Sequence, residues 1–144
     1  MSSCGDCRVC CEVLGFTGKS AHFDKYKEAE SFGVIFDAWS PCNKLCSVGC
    51  SIHHDKPKIC SEFYCSYITE DLLDKYWPAK CGFVAYVNEE SNALFIISKN
   101  RTLPIDIYYN NNKNLIDGFV EEVLVSLARR YEVILMSEQG SLFI

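Results

Sequence analysis

Hydrophobic positions keep a regular period through the second half of the chain and lose it in the first. Leu115, Phe119, Val123 and Leu127 recur at every fourth residue, with Ile116, Val120 and Leu124 beside them, which predicts a long amphipathic helix. Residues 82–87 and 93–98 are rich in β-formers and are separated by Asn88, Glu89, Glu90, Ser91 and Asn92, the pattern of a hairpin with a polar turn. Ile105, Ile107 and Tyr109 alternate with Asp106 and Tyr108, which predicts a third strand with one exposed face. Asn110, Asn111, Asn112 and Asn114 form a polar connector suited to a turn and cap. Arg129 and Arg130 complement the negative end of the long helix. Val133, Ile134, Leu135 and Met136 then make a buried strand, and Gly140 turns the chain into Leu142, Phe143 and Ile144.

Residues before the hairpin show shorter and less regular signals. Residues 13–20 contain Gly15 and Gly18 and read as a loop. Phe23, Tyr26 and Ala29 stand three apart, predicting a short helix over 24–32 that Gly33 ends. Residues 34–39 are mostly β-formers, a strand stopped at Pro41 and leading into Cys42. Residues 40–56 follow neither period and read as irregular backbone. Pro57 suits the first turn of a helix on which Phe63, Tyr67 and Ile68 share a face, with Cys60 and Cys65 on or near it. Thr69 caps a further turn, with Glu70 and Asp71 at its positive end. Leu72, Leu73, Tyr76 and Trp77 form its buried side, and Pro78 stops it.

The expected fold class is therefore α+β: an irregular cysteine-rich lobe over 1–68 packed on a small antiparallel sheet with one long amphipathic helix over 69–144, the two forming one compact unit. A length of 144 residues suits one domain with a real core. Net charge is −5, of which −4 falls on residues 66–144, where seven basic residues stand against eleven acidic ones. That balance repels phosphate backbones, so nucleic acid is not an expected partner. No apolar run reaches 18 residues, so no membrane-spanning helix is expected. The opening Met-Ser-Ser-Cys lacks a charged segment followed by an apolar one, the mark of a secretory signal, and the expected compartment is the cytoplasm.

The cysteines carry the candidate chemistry. Cys4, Cys7, Cys10 and Cys11 read C-x2-C-x2-C-C, and Cys42, Cys46, Cys50, Cys60 and Cys65 follow. Where glutathione keeps thiols reduced, such a density points to metal rather than to disulfides. Two cysteines spaced by two residues can place both sulfurs on one ion, because the backbone between them turns tightly. Cys4, Cys7 and Cys10 do so twice in succession. A tetrahedral centre needs four ligands, so that triplet requires a partner from Cys42, Cys46, Cys50, Cys60 or Cys65. Adjacent Cys10 and Cys11 diverge, so one of them serves a second metal, a cluster edge or the core. Zinc is the first expectation and a [4Fe-4S] cluster the alternative, since thiolates suit both. The C-x2-C-x2-C opening matches bacterial ferredoxins, but no Cys-Pro follows. His53 and His54 lie close enough to Cys50 to complete a mixed site. Cys81 stands alone before a strand and reads as a small buried hydrophobe. Cys7→Ser is thus expected to lose much more stability than Cys81→Ser.

Residues 4–65, with C-x2-C-x2-CC, Cys42, Cys46, Gly49-Cys50, Ile52, Pro57, Cys60, Phe63 and Cys65, resemble the YkgJ-type cysteine-cluster family, a zinc- or iron-chelating domain that includes flagellin lysine N-methylases. The family usually has Tyr at the position of His53 and Arg-Pro at Lys56-Pro57, so a two-pronged arginine contact is absent here. The resemblance implies metal chelation. The expected function is a metal-binding protein whose thiolate lobe is structural and whose acidic lobe offers a surface to a protein partner. The alternative is an enzyme related to the lysine N-methylases, or a redox protein using an iron-sulfur cluster. No G-x-G-x-x-G occurs, which weighs against a methyl-transfer enzyme with a dinucleotide-type cofactor loop.

Overall fold

The computed structural model describes residues 7–15, 23–34, 36, 39–47, 49–52, 55–61 and 63–144, with residues 23–26 and 49 described by their backbone. These residues form two compact units, one of residues 10–63 and one of residues 64–144 together with 7–9. The division falls inside a short helix, α1 (Val9–Val13), where the sequence pattern predicts only a loop from residue 13 onward.

In the unit of residues 10–63, α2 (Phe23–Ser31) realises the predicted helix. It ends where Gly33 takes a left-handed φ of 73° and donates its N–H to the Glu30 carbonyl at 2.9 Å. Ala29 and Val34 are buried, and Phe36, Ile52 and Ile59 pack on them together with Cys42 and Cys60. Two two-residue strands, β1 (Leu45–Cys46) and β2 (Gly49–Cys50), pair as a minimal hairpin within the segment read as irregular. The strand predicted over 34–39 is not formed by its described residues. Val34 is spent in the apolar cluster and Trp39 sits in a turn with φ 57°; residues 35, 37 and 38 lie outside the described set. Pro57 does precede a helix, α3 (Lys58–Ser61), whose first N–H is taken by the Glu28 carboxylate of α2 at 2.8 Å.

The predicted continuous helix after Pro57 is broken. Cys65 is extended, with φ −76° and ψ 164°, and becomes the residue before a separate one-turn helix, α4 (Ser66–Thr69). A 3-10 turn (Asp74–Tyr76) and α5 (Pro78–Cys81) follow, so Pro78 starts a helical turn instead of stopping one. Leu72 and Tyr76 are buried as expected, whereas Leu73 is 56% exposed. Gly82 closes α5 with φ 83°. Nothing lies within 4 Å of a Cβ built there, so the effect of Gly82→Ala is backbone strain alone. We expect a loss of about 1–2 kcal/mol, measured by urea unfolding.

The sheet of this unit has four strands in the order β3 (Phe83–Asn88), β4 (Ala93–Ser98), β5 (Glu132–Ser137), β6 (Gly140–Phe143). The outer pairs are antiparallel, but β4 and β5 run parallel, from Ala93 opposite Glu132 to Ile97 opposite Met136. The sheet is therefore mixed, a correction to the antiparallel sheet read from the sequence. A parallel neighbour needs a crossover, and α6 (Ile105–Asn111) and α7 (Lys113–Leu127) supply it. Register puts Phe83, Ala85, Leu94, Ile96, Val133 and Leu135 on one face, and all six are buried. Phe119 of α7 meets Phe83 edge-on at 5.1 Å, and Ile116 and Val123 are buried on the same helical stripe.

The predicted third strand over 105–109 is α6. Its buried residue is Tyr108, while Ile107 is 44% exposed, the reverse of what alternation requires. Tyr108 is oriented by Ser98 at the end of β4, a bond that helical spacing from Pro104 allows. Asn112 ends α6 and begins α7, donating its side-chain N–H to the Tyr108 carbonyl at 2.9 Å. Arg129 does not simply face the end of α7. It binds Glu89 and Asn92 in the β3–β4 turn at 2.9 Å each, and Tyr131 donates its hydroxyl to Glu89 at 2.7 Å.

Candidate metal centre

No disulfide joins any of the nine described cysteines. Six of them, Cys10, Cys11, Cys42, Cys46, Cys50 and Cys60, belong to the unit of residues 10–63; Cys7, Cys65 and Cys81 belong to the other unit. Cys4, His22, His53 and His54 lie outside the described residues.

In the first group, three pieces of backbone set the sulfurs. Helix α1 presents Cys10 and Cys11, and their thiols hydrogen-bond to each other instead of diverging as their adjacency in sequence suggested. The Cys42 N–H binds the Cys11 carbonyl at 2.9 Å and the Trp39 N–H binds the Val13 carbonyl at 2.8 Å, so residues 39–42 are laced to the start of the unit. The Leu45 N–H returns to the Cys42 carbonyl at 3.0 Å, which leads into the hairpin whose second strand carries Cys50 opposite Leu45. Cys60 comes from α3, its N–H bound to the Pro57 carbonyl at 3.0 Å. Cys46 is exposed on β1.

The thiols act on one another. A bond from the Cys10 thiol holds the Cys11 pKa down at about 7, against the opposing effect of burial and with help from the Lys56 charge. Cys60 is pushed up to about 11, chiefly by burial and then by Cys11, Cys42 and Cys50. Cys42 is raised by burial, with Cys11 and Cys50 adding to it. Four sulfurs from α1, the 39–42 segment, β2 and α3 thus share one electrostatic neighbourhood. Lys56, which stands where the resembling family carries Arg, favours the thiolate at both Cys11 and Cys60.

Among the described residues, no three Cys, His, Asp or Glu side chains are drawn close enough to hold a metal ion between them. The donor set nonetheless has the chemistry of a soft-metal site, being reduced, thiol-rich and partly buried. Trp39 marks the same region in another way. Its φ is 57° and its indole N–H is buried with no acceptor among the described residues, a strained and unsatisfied donor on the residue whose backbone N–H is bound to Val13 of α1.

Cys81, read from the sequence as an isolated core residue, has company. Its thiol faces the carbonyls of Tyr76 at 3.5 Å and Phe83 at 3.3 Å, and it is pushed up to about 11 first by burial, with Cys7 and Cys65 contributing. Its distance from the other cysteines in sequence hides that grouping. Lys56 and Trp39 were equally silent, since neither a lone lysine nor a lone tryptophan carries a spacing signal.

No family model, no curated protein and no solved structure matches the chain. No helix among the described residues is long and apolar enough to cross a membrane.

Proposed function

We propose that the protein is a metal-binding protein whose clustered thiolates chelate zinc, chiefly for structure, while the acidic sheet unit offers a surface to a protein partner. The observation that carries this is the gathering of unbridged cysteines from α1, residues 39–42, β2 and α3 within one unit, the Cys42 N–H bound to the Cys11 carbonyl and Cys42 and Cys60 both feeling the charges of Cys11 and Cys50. A cation joining these sulfurs would offset the opposition that Cys11 and Cys50 offer to ionisation of Cys42 and Cys60. Cys10 and Cys46 are further candidate ligands in the same unit; Cys7 and Cys65 are candidates within the other unit, and Cys4 lies outside the described residues. The cysteine spacing that resembles the YkgJ-type family supports the same reading, and a reducing compartment such as the cytoplasm suits it. When bound, the metal supplies a fixed positive charge and tetrahedral bonds; the chain's part is to bring the sulfurs together and, through Lys56, to favour their ionised form.

A [4Fe-4S] cluster is the second reading, favoured by the C-x2-C-x2-C opening, and with it redox chemistry or a lysine N-methylase-type activity. Metal analysis of anaerobically purified protein separates the two. Colourless protein with stoichiometric zinc is the expected result, and brown protein with sulfide and iron selects the cluster. Metal-free protein with its sulfurs oxidised in pairs defeats both.

Metal affinity should also rise steeply with pH. A thiol binds metal only after losing its proton, so each one titrating above the working pH contributes roughly tenfold in affinity per pH unit. Cys60 at about 11 and the raised Cys42 are both protonated near neutrality. Their two protons alone predict roughly a hundredfold weaker binding at pH 6.5 than at pH 7.5, and Cys11, at about 7, adds to it. Chelator competition at the two values measures it, and a flat profile would remove these thiols from the ligand set.

A further inference from the structure

The sheet unit contains a cleft of about 560 Å³ between residues 70–76 and the outer face of α7. The α7 wall, Gly118, Glu121, Glu122, Val125 and Ser126, follows helical spacing and so forms one stripe about two turns long. The opposite wall is fixed to it, because the Ser126 hydroxyl donates to the Glu70 carboxylate at 2.8 Å.

Three features of this cleft are unlike an ordinary solvated helix face. Two aliphatic side chains line it while largely in water, Leu73 at 56% and Val125 at 73% exposure. Glu70, Asp71, Glu121 and Glu122 surround them, with Lys75 the one cation among the lining residues. Beneath lies Tyr76, only 2% exposed, whose ring is packed edge-on to Phe119 at 5.4 Å. Its hydroxyl makes no hydrogen bond among the described residues, nor is it one of their fully enclosed orphan atoms; it opens to the cleft. Gly118 is the reason it can. A Cβ at that position would come within 2.9 Å of the Tyr76 hydroxyl.

We propose that this cleft docks a short, basic, amphipathic segment of a partner protein. An apolar anchor of that segment rests on Leu73 and Val125, lysine or arginine side chains meet Glu121 and Glu122, and a polar group reaches the Tyr76 hydroxyl. Charge complementarity selects this occupant, since a carboxylate-rich rim repels nucleic acid and acidic peptides alike. The inference deepens the proposed interaction role and is independent of which metal the thiols hold.

The test uses full-length, metal-replete protein and a labelled synthetic peptide carrying leucine and lysine at helical spacing, with binding read by anisotropy and mapped by amide shifts. Leu73→Asp with Val125→Asp, and separately Glu121→Lys with Glu122→Lys, should each weaken binding at least tenfold, and Tyr76→Phe several-fold. Glu90→Lys with Glu132→Lys makes the same charge change at exposed positions outside the cleft and should leave affinity within twofold. Equal weakening by both charge-reversed pairs, or shifts centred away from residues 70–76 and α7, overturns the proposal. So does an absence of binding, which would leave the chelation reading untouched.

Discussion

Stripping the proposed metal with a chelator is expected to lower stability by about 5 kcal/mol, with the loss falling on residues 10–63. Structural zinc contributes an apparent ~10–16 kcal/mol where folding depends on it entirely. Here the unit keeps an apolar nucleus of its own, Ala29 and Val34 with Phe36, Ile52 and Ile59, so part of its order survives. That nucleus is small, and among the described residues much of the rest of the unit is short turns joined to it by a few hydrogen bonds. Native-state hydrogen exchange before and after chelation measures the effect. Amides of Cys42 and Cys60 should lose protection while those of β3, β4 and β5 keep theirs; unchanged protection throughout would contradict a structural metal. Cys60→Ser should reproduce the loss together with reduced metal content. Cys81→Ser should cost about 1 kcal/mol or less, because a hydroxyl can make the same bonds to the Tyr76 and Phe83 carbonyls.

Phe119→Ala is expected to destabilise the protein by about 3–5 kcal/mol. Phe119 is 2% exposed and joins α7 to both remaining layers of its unit, edge-on to Phe83 at 5.1 Å and to Tyr76 at 5.4 Å. Its removal leaves a cavity under a helix that otherwise holds the sheet through Ile116 and Val123. Each lost aromatic contact adds about 0.5–1.5 kcal/mol to the loss of buried area. Val125→Ala on the opposite face is the control, and at 73% exposure it should change stability by less than about 0.5 kcal/mol. Urea midpoints of the two variants decide the matter; similar values would mean that α7 is not packed as described.

The parts legible in the sequence were those with many repeats of one signal. α7 declared itself through seven apolar positions over two faces, and the β3–β4 hairpin through two runs bounded by polar residues. Residues 105–109 offered only five positions, too few to separate alternation from a helical turn, and the burial of Tyr108 near Ser98 is a tertiary fact that spacing does not carry. The apolar run of β5 announced a strand with a buried face but not its direction, because the same alternation of buried and half-buried positions serves parallel and antiparallel pairing. Cysteine spacing marked out the thiol group, yet it could not divide the cysteines between two units, nor pair Cys81 with Cys7 and Cys65. The broken helix at Cys65 was hidden for a similar reason, since no proline or glycine marks the break.

Parallel pairing of β4 with β5 also sets an order of events during synthesis. β4 leaves the ribosome beside β3, but its other edge waits for the thirty-three residues between Ser98 and Glu132 to emerge and wind into α6 and α7. Until then Leu94 and Ile96 have only half their final cover, and a row of amide and carbonyl groups is open to any passing strand. Nascent chains halted in that interval are where self-association should begin, and a chaperone that shields a single hairpin edge would be the natural remedy.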